Sequence, residues 1–245
     1  MTNKGKYYES QFEEATIELL REAHWQYTFG DDIHRKYTDP LIEEDLRNFL
    51  AVQYKDKNLT TSEMDSIIAN LRNTGGQNDY YALRNAFLLY RDGYDFAYSD
   101  GRDNPFRLEY IDFEHPDHNI FRCVNQFVME QGRENRRPDI LLFINGIPVC
   151  IIELKNPTKQ NATIRDAHTQ ICTRYMRDIP ALLKYCALAV ISDGAKNALG
   201  STYTPFEFFY EWKKINNEDK AGKGLDTLRT LIRGALSPER ILEIL

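Results

Sequence analysis

The chain has 245 residues, 42% of them hydrophobic and 28% charged, which fits a globular protein of one large domain or of one domain with a helical appendage. No run of residues approaches the roughly 20 consecutive apolar residues that span a bilayer, and residues 1–10 lack the apolar centre of a signal peptide. We therefore expect no membrane contact and a cytoplasmic location. The net charge of −6 is unusual for a protein that handles DNA.

The charge is distributed unevenly along the chain. Residues 1–120 carry 13 Lys and Arg against 23 Asp and Glu, whereas residues 121–245 carry 18 against 14. The basic residues of the second half that surround the stretch 137–155 are Arg133, Arg136, Arg137, Lys155, Lys159, Arg165, Arg174 and Arg177. Such a patch contacts phosphates without reading a base sequence, so it predicts weak and salt-dependent binding of DNA.

Helices are predicted for most of the acidic half. Apolar residues at helical spacing predict a first helix over Glu9–His24, and a short aromatic strand over Trp25–Phe29 follows it. The segment of about 41–92 is predicted as a helical insertion with three helices, Leu41–Gln53, Thr61–Leu71 and Asp79–Tyr90, of which the second has a typical N-cap cluster at Thr61-Ser62-Glu63. The acidic surface of this insertion favours contact with another protein domain, although a solvated face without a partner fits it equally well.

Strands and helices alternate in the second half, over a predicted core of about 95–212. The predicted elements are strands at Leu108–Phe113, Phe121–Met129, Ile140–Ile144, Val149–Ile152 and Ala187–Ile191, a helix at Thr163–Met176, and short terminal helices near Asp226–Ile232 and Pro238–Leu245. Residues 216–224 are predicted as a loop. A helix between two strands indicates a crossover that places those strands parallel. The pattern predicts an α/β fold with a mixed central sheet flanked by helices.

The central feature is a hairpin whose two apolar strands flank Asn145-Gly146, a strong hairpin signal. Its strands are apolar at nearly every position, so both faces are expected to be covered. Charged residues stand only at its open end, with Asp139 before the first strand and Glu153 and Lys155 at the end of the second. An unbulged two-residue turn would put Asp139 and Glu153 on opposite faces, so we predict an odd-length turn or a bulge that returns them to one face.

Two carboxylates and an ammonium at the end of buried strands are costly unless they are paired or functional. Carboxylate oxygens suit Mg²⁺, which can be shared with a substrate phosphate, and a neighbouring lysine can orient or deprotonate an attacking water. The chemistry this predicts is phosphodiester hydrolysis. Taken alone, Glu153 and Lys155 fit a solvated strand end better than a metal site, and only Pro138-Asp139 and a hairpin of the right length together with them favour the functional interpretation.

Further residues carry a resemblance to a known family. They are Asn125-Gln126-Phe127, Arg137-Pro138-Asp139, Asn145-Gly146-Ile147-Pro148, Glu153-Leu154-Lys155-Asn156-Pro157, Ser192-Asp193-Gly194 and Trp212-Lys213. The chain resembles the PD…(D/E)xK nuclease domain of type I restriction enzyme R subunits over most of its length. This resemblance implies a restriction-endonuclease-like fold, with residues 1–245 as a single nuclease domain.

The resemblance also implies roles for single residues. Asp139 and Glu153 would hold the metal, Lys155 would be the active-site lysine, and Gln170 and Tyr175 would belong to the helix after the hairpin. In an α-helix, residues five apart point about 140° away from each other, so these two are not expected to reach one point equally well. Relatives also use an acidic residue of the first helix, for which Glu14 is a candidate, although a solvated position fits it better.

The function implied is that of a type I site-specific deoxyribonuclease, an Mg²⁺-dependent endonuclease that cleaves double-stranded DNA. Arg136, Arg137, Lys159 and Arg174 would contact the DNA. The implied partners are the modification and specificity subunits of the restriction complex and downstream helicase-like domains of the same polypeptide, which would use ATP. The sequence contains no Gly-x-x-x-x-Gly-Lys-Ser/Thr phosphate loop, so the chain is expected to be a fragment of a longer protein without the motor domains.

Three other functions fit the same residues: another nuclease of this fold that acts in repair or junction cleavage, an assembly domain whose catalysis is dormant until partners dock, and a DNA-binding module without hydrolysis. The four cysteines have no metal-site spacing and are expected to be buried free thiols. His115 and His118 flank Pro116-Asp117 and are expected to be polar loop residues without a role as ligands.

Overall fold

A computed structural model of the chain describes residues 3–155, 163–215 and 224–245, with side chains from Ser10 onward within these ranges. Its helices are α1 (Asn3–Glu22), α2 (Glu43–Gln53), α3 (Thr61–Asn73), α4 (Asp79–Asp92), α5 (Ile164–Thr169), α6 (Met176–Asp178), α7 (Pro180–Leu183), α8 (Leu225–Leu231) and α9 (Pro238–Ile244). Its strands are β1 (Gln26–Phe29), β2 (Tyr94–Phe96), β3 (Phe106–Leu108), β4 (Phe121–Asn125), β5 (Met129–Gln131), β6 (Glu134–Arg136), β7 (Ile140–Ile144), β8 (Ile147–Leu154), β9 (Leu188–Ser192) and β10 (Asn197–Ser201). Two π-helical turns, Gln170–Tyr175 and Ile232–Leu236, continue α5 and α8.

A six-stranded mixed sheet forms the centre, in the order β1-β4-β7-β8-β9-β10. Strands β4, β7 and β8 are antiparallel neighbours, while β8 pairs with β9 in parallel and β1 pairs with β4 in parallel. Helices separate β8 from β9 in the chain, as the predicted crossover requires. The α/β fold with a restriction-endonuclease-like mixed sheet is thereby confirmed.

The two faces of the sheet are buried by different helices. Every residue of β7 and β8 is buried, and alternate side chains of β7 enter two separate apolar clusters. Ile140, Leu142 and Ile144 pack in the cluster that includes side chains of the helices α1 to α3. Leu141 and Phe143 pack in the cluster that includes side chains of α5 and α7. Complete burial of one such side chain contributes about 1.5–3 kcal/mol, so the apolar runs fix the hairpin between two helical layers.

The helical insertion follows the predicted pattern, with one difference at its second helix. The N-cap of α3 is Thr60, one residue before the predicted cluster. The hydroxyl of Thr60 accepts the backbone N–H of Glu63 at 3.2 Å, and the Glu63 carboxylate accepts the backbone N–H of Thr60 at 2.8 Å. This reciprocal pair is a capping box, which explains why the helix begins at Thr61.

Two predicted strands are wrong in their extent. Strand β3 ends at Leu108 instead of running to Phe113. The segment after it is a loop, because the Oδ1 of Asp112 accepts the backbone N–H of Glu114 at 3.1 Å and of His115 at 2.9 Å. Strand β4 ends at Asn125 because Gln126 has a φ of 55°, outside the extended region.

Other expectations concern the whole chain. The four cysteines are free, as predicted, and Cys123, Cys150 and Cys186 are buried, whereas Cys172 is only partly buried. In the described ranges, no helix combines the length and the apolar character that crossing a membrane would require. The predicted loop 216–224 lies outside the described residues except for Gly224.

Candidate active site

The register of the hairpin brings Asp139 and Glu153 to one face. Ile144 pairs with Ile147 across a two-residue turn in which Asn145 and Gly146 have φ values of 50° and 78°, as a type I′ turn requires. The register then shifts between Leu142 and Phe143, which leaves Val149 as an extra residue of β8. The predicted bulge is therefore confirmed. Because Ile140 pairs with Ile152, the next residues outward, Asp139 and Glu153, lie opposite each other.

The position of the bulge has a cause in the sequence. Pro148 has no backbone N–H, and within sheets a proline is confined to edges, strand beginnings and bulges. Pro148 pairs with Phe143 directly beside the bulged Val149, in the centre of the sheet. The Asn-Gly-x-Pro sequence thus sets both the turn and the shift that brings the carboxylates together.

The carboxylates and the lysine are held by specific hydrogen bonds. The backbone N–H of Leu154 donates to Oδ2 of Asp139 at 2.7 Å. The ammonium of Lys155 donates to Oε1 of Glu153 at 2.8 Å, and Glu153 is 1% exposed. Burial and, next, the negative charge of Glu153 raise the pKa of Asp139 well above its usual value, although Leu154 and Lys155 act in the opposite direction. Two adjacent carboxylates therefore repel each other here.

A π-helical turn brings Gln170 and Tyr175 together, which corrects the expectation drawn from α-helical geometry. The i to i+5 hydrogen bonding of the turn Gln170–Tyr175 stacks residues five apart, and the Gln170 Nε2 donates to the Tyr175 hydroxyl at 2.7 Å. Lys155 donates to the Gln170 Oε1 at 2.7 Å, and the Tyr175 hydroxyl lies 3.3 Å from the Glu153 Oε2. These four side chains form a closed ring of hydrogen bonds.

The acidic residue of the first helix that reaches this region is Glu13, not Glu14. Glu14 is exposed, whereas the Glu13 carboxylate accepts hydrogen bonds from Asn125 at 2.6 Å and from Gln126 at 2.9 and 3.0 Å. Its negative charge contributes to the raised pKa of Asp139. The sequence distinguishes the two residues, because Glu13 stands four and seven residues before the apolar Ile17 and Leu20, whereas Glu14 stands four residues before the polar Glu18.

The predicted DNA-contacting residues differ in their surroundings. Arg137 and Arg174 are exposed. Arg136 instead donates to the buried Asp178 at 2.7 Å and also pairs with Glu134, so its charge is engaged within the protein. Lys159 lies outside the described residues, as do Asn156 and Pro157 of the family-like motif. A role of these residues in DNA binding stays a prediction.

Two groups of side chains have the donor atoms for a metal ion. Asp139 and Glu153 offer carboxylate oxygens whose mutual repulsion a divalent cation would relieve, and this set fits Mg²⁺. The second group is Asp112, His115 and His118, whose ligand atoms lie within 4.8 Å of one another. It was not predicted, because the two histidines were expected to be loop residues, and only the fold places the Asp112 carboxylate between them.

The chain was compared with known proteins. Residues 6–208 match the family described as type I restriction enzyme R protein N terminus. The chain is 29% identical over 247 residues to the type I restriction enzyme HindI endonuclease subunit of Haemophilus influenzae, covering 96% of this chain and 23% of that protein. It is 28% identical over 257 residues to the putative type I restriction enzyme MjaIXP endonuclease subunit of Methanocaldococcus jannaschii, covering 95% and 24%.

A shorter similarity, 32% identity over 133 residues, covers 51% of this chain and 40% of the type I restriction enzyme EcoprrI endonuclease subunit of Escherichia coli. The chain thus spans about a quarter of the length of the first two relatives. The family match includes both hairpin strands and the ring of hydrogen-bonded side chains. The chain belongs to the family of N-terminal domains of type I restriction enzyme R proteins.

Proposed function

We propose that this chain is the nuclease domain of a type I site-specific deoxyribonuclease and hydrolyses phosphodiester bonds of double-stranded DNA with Mg²⁺. The observation that carries the proposal is the bulged hairpin, which gathers Asp139, Glu153 and Lys155 at one end of one sheet face. A bulge that returns two carboxylates to a shared face of a buried strand pair is expensive in repulsion, and metal binding supplies the compensation.

Asp139 and Glu153 would hold the ion, which when bound neutralises charge that develops on the scissile phosphate. The Leu154 N–H fixes one oxygen of Asp139, so the other carboxylate oxygen is free of that bond and can serve as a ligand. Lys155 lies against Glu153, where its ammonium would orient the attacking water. Gln170 and Tyr175 are positioning residues in this proposal, because they contact Lys155 and Glu153 and hold their side chains in place.

DNA would approach the open end of the hairpin. Arg137 directly precedes Pro138-Asp139 in the chain, and Arg174 directly precedes Tyr175, whose hydroxyl lies 3.3 Å from the Glu153 carboxylate. Both arginines are exposed. Contacts of this kind bind phosphates irrespective of base sequence. Arg136 and Lys159 complete the set of residues proposed to contact DNA. Arg136 would exchange its ion pair with Asp178 for a DNA phosphate.

The site of cleavage would be chosen elsewhere in a larger assembly. The matched relatives are named endonuclease subunits of type I restriction enzymes and are about four times as long as the matched segment. We infer that the partners are modification and specificity subunits and helicase-like domains of the same polypeptide, which would use ATP for translocation. The substrate DNA and these partners favour a cytoplasmic location.

The test uses the full-length subunit carrying this chain, assembled with its modification and specificity subunits. Glu153→Gln and Lys155→Ala should each reduce the cleavage rate of plasmid DNA at least about 100-fold, the loss typical of removing one group that stabilises a transition state. Glu14→Gln, an exposed acidic change, is the matched control and should cleave normally. Removal of Mg²⁺ with a chelator should stop cleavage by the wild-type enzyme and by the Glu14→Gln control.

The alternatives predict other outcomes. A DNA-binding module without hydrolysis predicts that the Glu153 and Lys155 variants cleave at the wild-type rate, which would overturn the proposal. A domain that is dormant until partners dock predicts the same losses in the assembled enzyme, but no cleavage by the subunit alone. Another nuclease of this fold predicts full cleavage by the subunit alone, without ATP and without the partner subunits.

A further inference from the structure

The loop that follows Tyr110 contains three potential metal ligands at regular spacing. Asp112, His115 and His118 stand three residues apart, and a short 3₁₀ turn, Pro116–His118, brings the second histidine back toward the aspartate. Asp112 is buried, while the side chains of the two histidines are 57% and 49% exposed. The group therefore has a fixed inner ligand and two ligands that face solvent.

The three ligand atoms lie close together, all within 4.8 Å of one another. The Nδ1 of His118 lies 2.9 Å from Oδ2 of Asp112, and the Nδ1 of His115 lies 3.4 Å from Oδ1. Ligand atoms bound tetrahedrally at 2.0–2.1 Å stand about 3.3 Å apart. Both imidazole rings direct Nδ1 toward the carboxylate, and the rings stack with centroids 4.8 Å apart and an angle of 21° between their planes.

Asp112 is held in this position without the histidine side chains. Its Oδ1 accepts two backbone N–H groups, those of Glu114 and His115, and its Oδ2 accepts the side-chain amide of Gln53 at 3.1 Å. A ligand that is fixed before the ion binds loses little conformational freedom on binding. Oδ1 uses both of its lone pairs for these two N–H groups, whereas Oδ2 accepts only the Gln53 amide among these groups and keeps a second lone pair for an ion.

We propose that Asp112, His115 and His118 form a second metal site, which binds one Zn²⁺ through the aspartate carboxylate and the two Nδ1 atoms and leaves the fourth position to water. Imidazole nitrogen and a carboxylate are ligands that suit zinc, whereas Mg²⁺ prefers an all-oxygen shell. The proposal does not depend on the nuclease activity, because the site lies at the other end of the hairpin. The five residue-to-residue steps from Asp139 to Ile144 span about 17 Å of strand.

The ion would hold the loop of Asp112, His115 and His118 in place next to the turn end of the hairpin. The side-chain oxygen of Asn119 accepts the backbone N–H of Asp112 at 2.9 Å and the side-chain amide of Asn145 at 2.8 Å. Asn119 thus joins the metal loop to the hairpin turn. A metal that fixes Asp112 would limit motion of this connection and stabilise the folded chain by linkage.

The experiment uses the untagged 245-residue chain, because a polyhistidine tag binds zinc. Asp139→Asn/Glu153→Gln serves as the background, so that the carboxylates of the nuclease site cannot bind the ion. Isothermal titration should give one Zn²⁺ per chain in this background, and adding His115→Ala/His118→Ala should weaken binding at least 100-fold. His34→Ala, a change at another exposed histidine, should leave the binding unchanged. Circular dichroism checks that each variant is folded, and visible absorption of bound Co²⁺ reports tetrahedral coordination.

Three results would overturn the proposal: no stoichiometric Zn²⁺ in the background chain, equal affinity after removal of both histidines, or octahedral Co²⁺. In the first case the three side chains form only a hydrogen-bonded loop cap. Loss of zinc binding would leave the proposed nuclease function intact, since cleavage with Mg²⁺ is measured separately.

Discussion

The two ends of the β7–β8 hairpin are built on opposite principles. At the turn end, Asn145 is completely buried and every polar group of its amide has a partner: its Nδ2 donates to the Tyr110 carbonyl at 3.0 Å and to Asn119, and its Oδ1 accepts the Ile120 N–H at 2.7 Å. At the open end, Asp139 and Glu153 lie opposite each other, and burial and next the negative charge of Glu153 raise the pKa of Asp139. At the turn end the buried polar groups of Asn145 have hydrogen-bond partners, whereas at the open end two carboxylates repel each other and a bound cation would relieve that repulsion.

The two ends of one pair of strands can therefore affect stability in opposite directions, with the destabilising end supplying the groups for chemistry. Satisfied buried hydrogen bonds stabilise a fold by about 0.5–1.5 kcal/mol each. Buried carboxylates that repel each other destabilise it until an ion binds. Changes at the turn end should therefore destabilise the fold, whereas removal of a carboxylate at the open end should stop catalysis and stabilise the metal-free protein.

The largest effect on stability is expected from Gly146→Ala. Gly146 has a φ of 78°, and a Cβ there would lie 2.1 Å from the carbonyl oxygen of Ile42. Left-handed strain alone costs about 1–3 kcal/mol, and the collision with backbone adds to it, so we expect a loss of about 3 kcal/mol or more in the free energy of unfolding. Urea denaturation followed by circular dichroism measures it.

Gly132→Ala is the matched control for this change. Gly132 also has a positive φ, 61°, at a hairpin turn, but no atom lies within 4 Å of the position its Cβ would take. Strain without collision should cost only about 1 kcal/mol. Equal losses for the two glycines would mean that the contact with Ile42 contributes nothing and that the turn end is not tightly held.

At the open end, Asp139→Asn should have the opposite effect on stability. The amide oxygen of Asn can still accept the Leu154 N–H, while the charge opposite Glu153 disappears. Thermal unfolding without metal should show a higher Tm for the variant at neutral pH. Mg²⁺ at 100 times its Kd should stabilise the wild-type chain by about 2.7 kcal/mol and the variant far less. A lower Tm for Asp139→Asn would contradict a repulsive site.

The pH dependence follows from the raised pKa of Asp139. Because the folded pKa lies above the ordinary value of 3.8, the folded chain binds more protons in this range than the unfolded chain. The contribution of Asp139 to stability is therefore fully present below pH 3.8 and is lost as the pH rises through the folded pKa. The difference in unfolding free energy between wild type and Asp139→Asn, measured across pH without metal, should show this loss.

Sequence reasoning could reach the hairpin and its ends because apolar runs and Asn145-Gly146 are local signals. The bulge was predictable from the need to bring Asp139 and Glu153 to one face, and Pro148 marks its place. The π-helical turn was not predictable. Its one mark in the sequence is the spacing of five residues from Gln170 to Tyr175, and in an α-helix two residues at that spacing point in different directions. The partnership of Asp112 with two loop histidines likewise depends on tertiary contacts.

A smaller effect should come from Tyr175→Phe, which tests how far the open end depends on the π-helical turn. The ring stays in its apolar cluster, but the hydroxyl that contacts Gln170 and Glu153 is lost. We expect a reduction of about tenfold in DNA cleavage by the assembled enzyme, as for loss of an outer partner of a metal ligand, and a change of at most about 1 kcal/mol in stability. Tyr210→Phe, at an exposed tyrosine, is the control. Unchanged cleavage would remove Tyr175 from the site.

The smallest expected effect is a change in the salt dependence of DNA binding, which depends on the charges around the two ends of the hairpin. The loop at the turn end is acidic, with Asp112, Glu114 and Asp117, whereas Arg137 and Arg174 stand exposed near the open end. If DNA approaches the open end, Arg137→Ala should lower the slope of log affinity against log salt by about 0.9, the value for one phosphate contact on duplex DNA. Fluorescence anisotropy of a labelled duplex at several KCl concentrations measures this slope. Arg91→Ala, an exposed change outside the proposed patch, should leave it unchanged. An equal decrease for both arginines would mean that DNA binds the surface without regard to the hairpin, because the slope counts phosphate contacts irrespective of where they form.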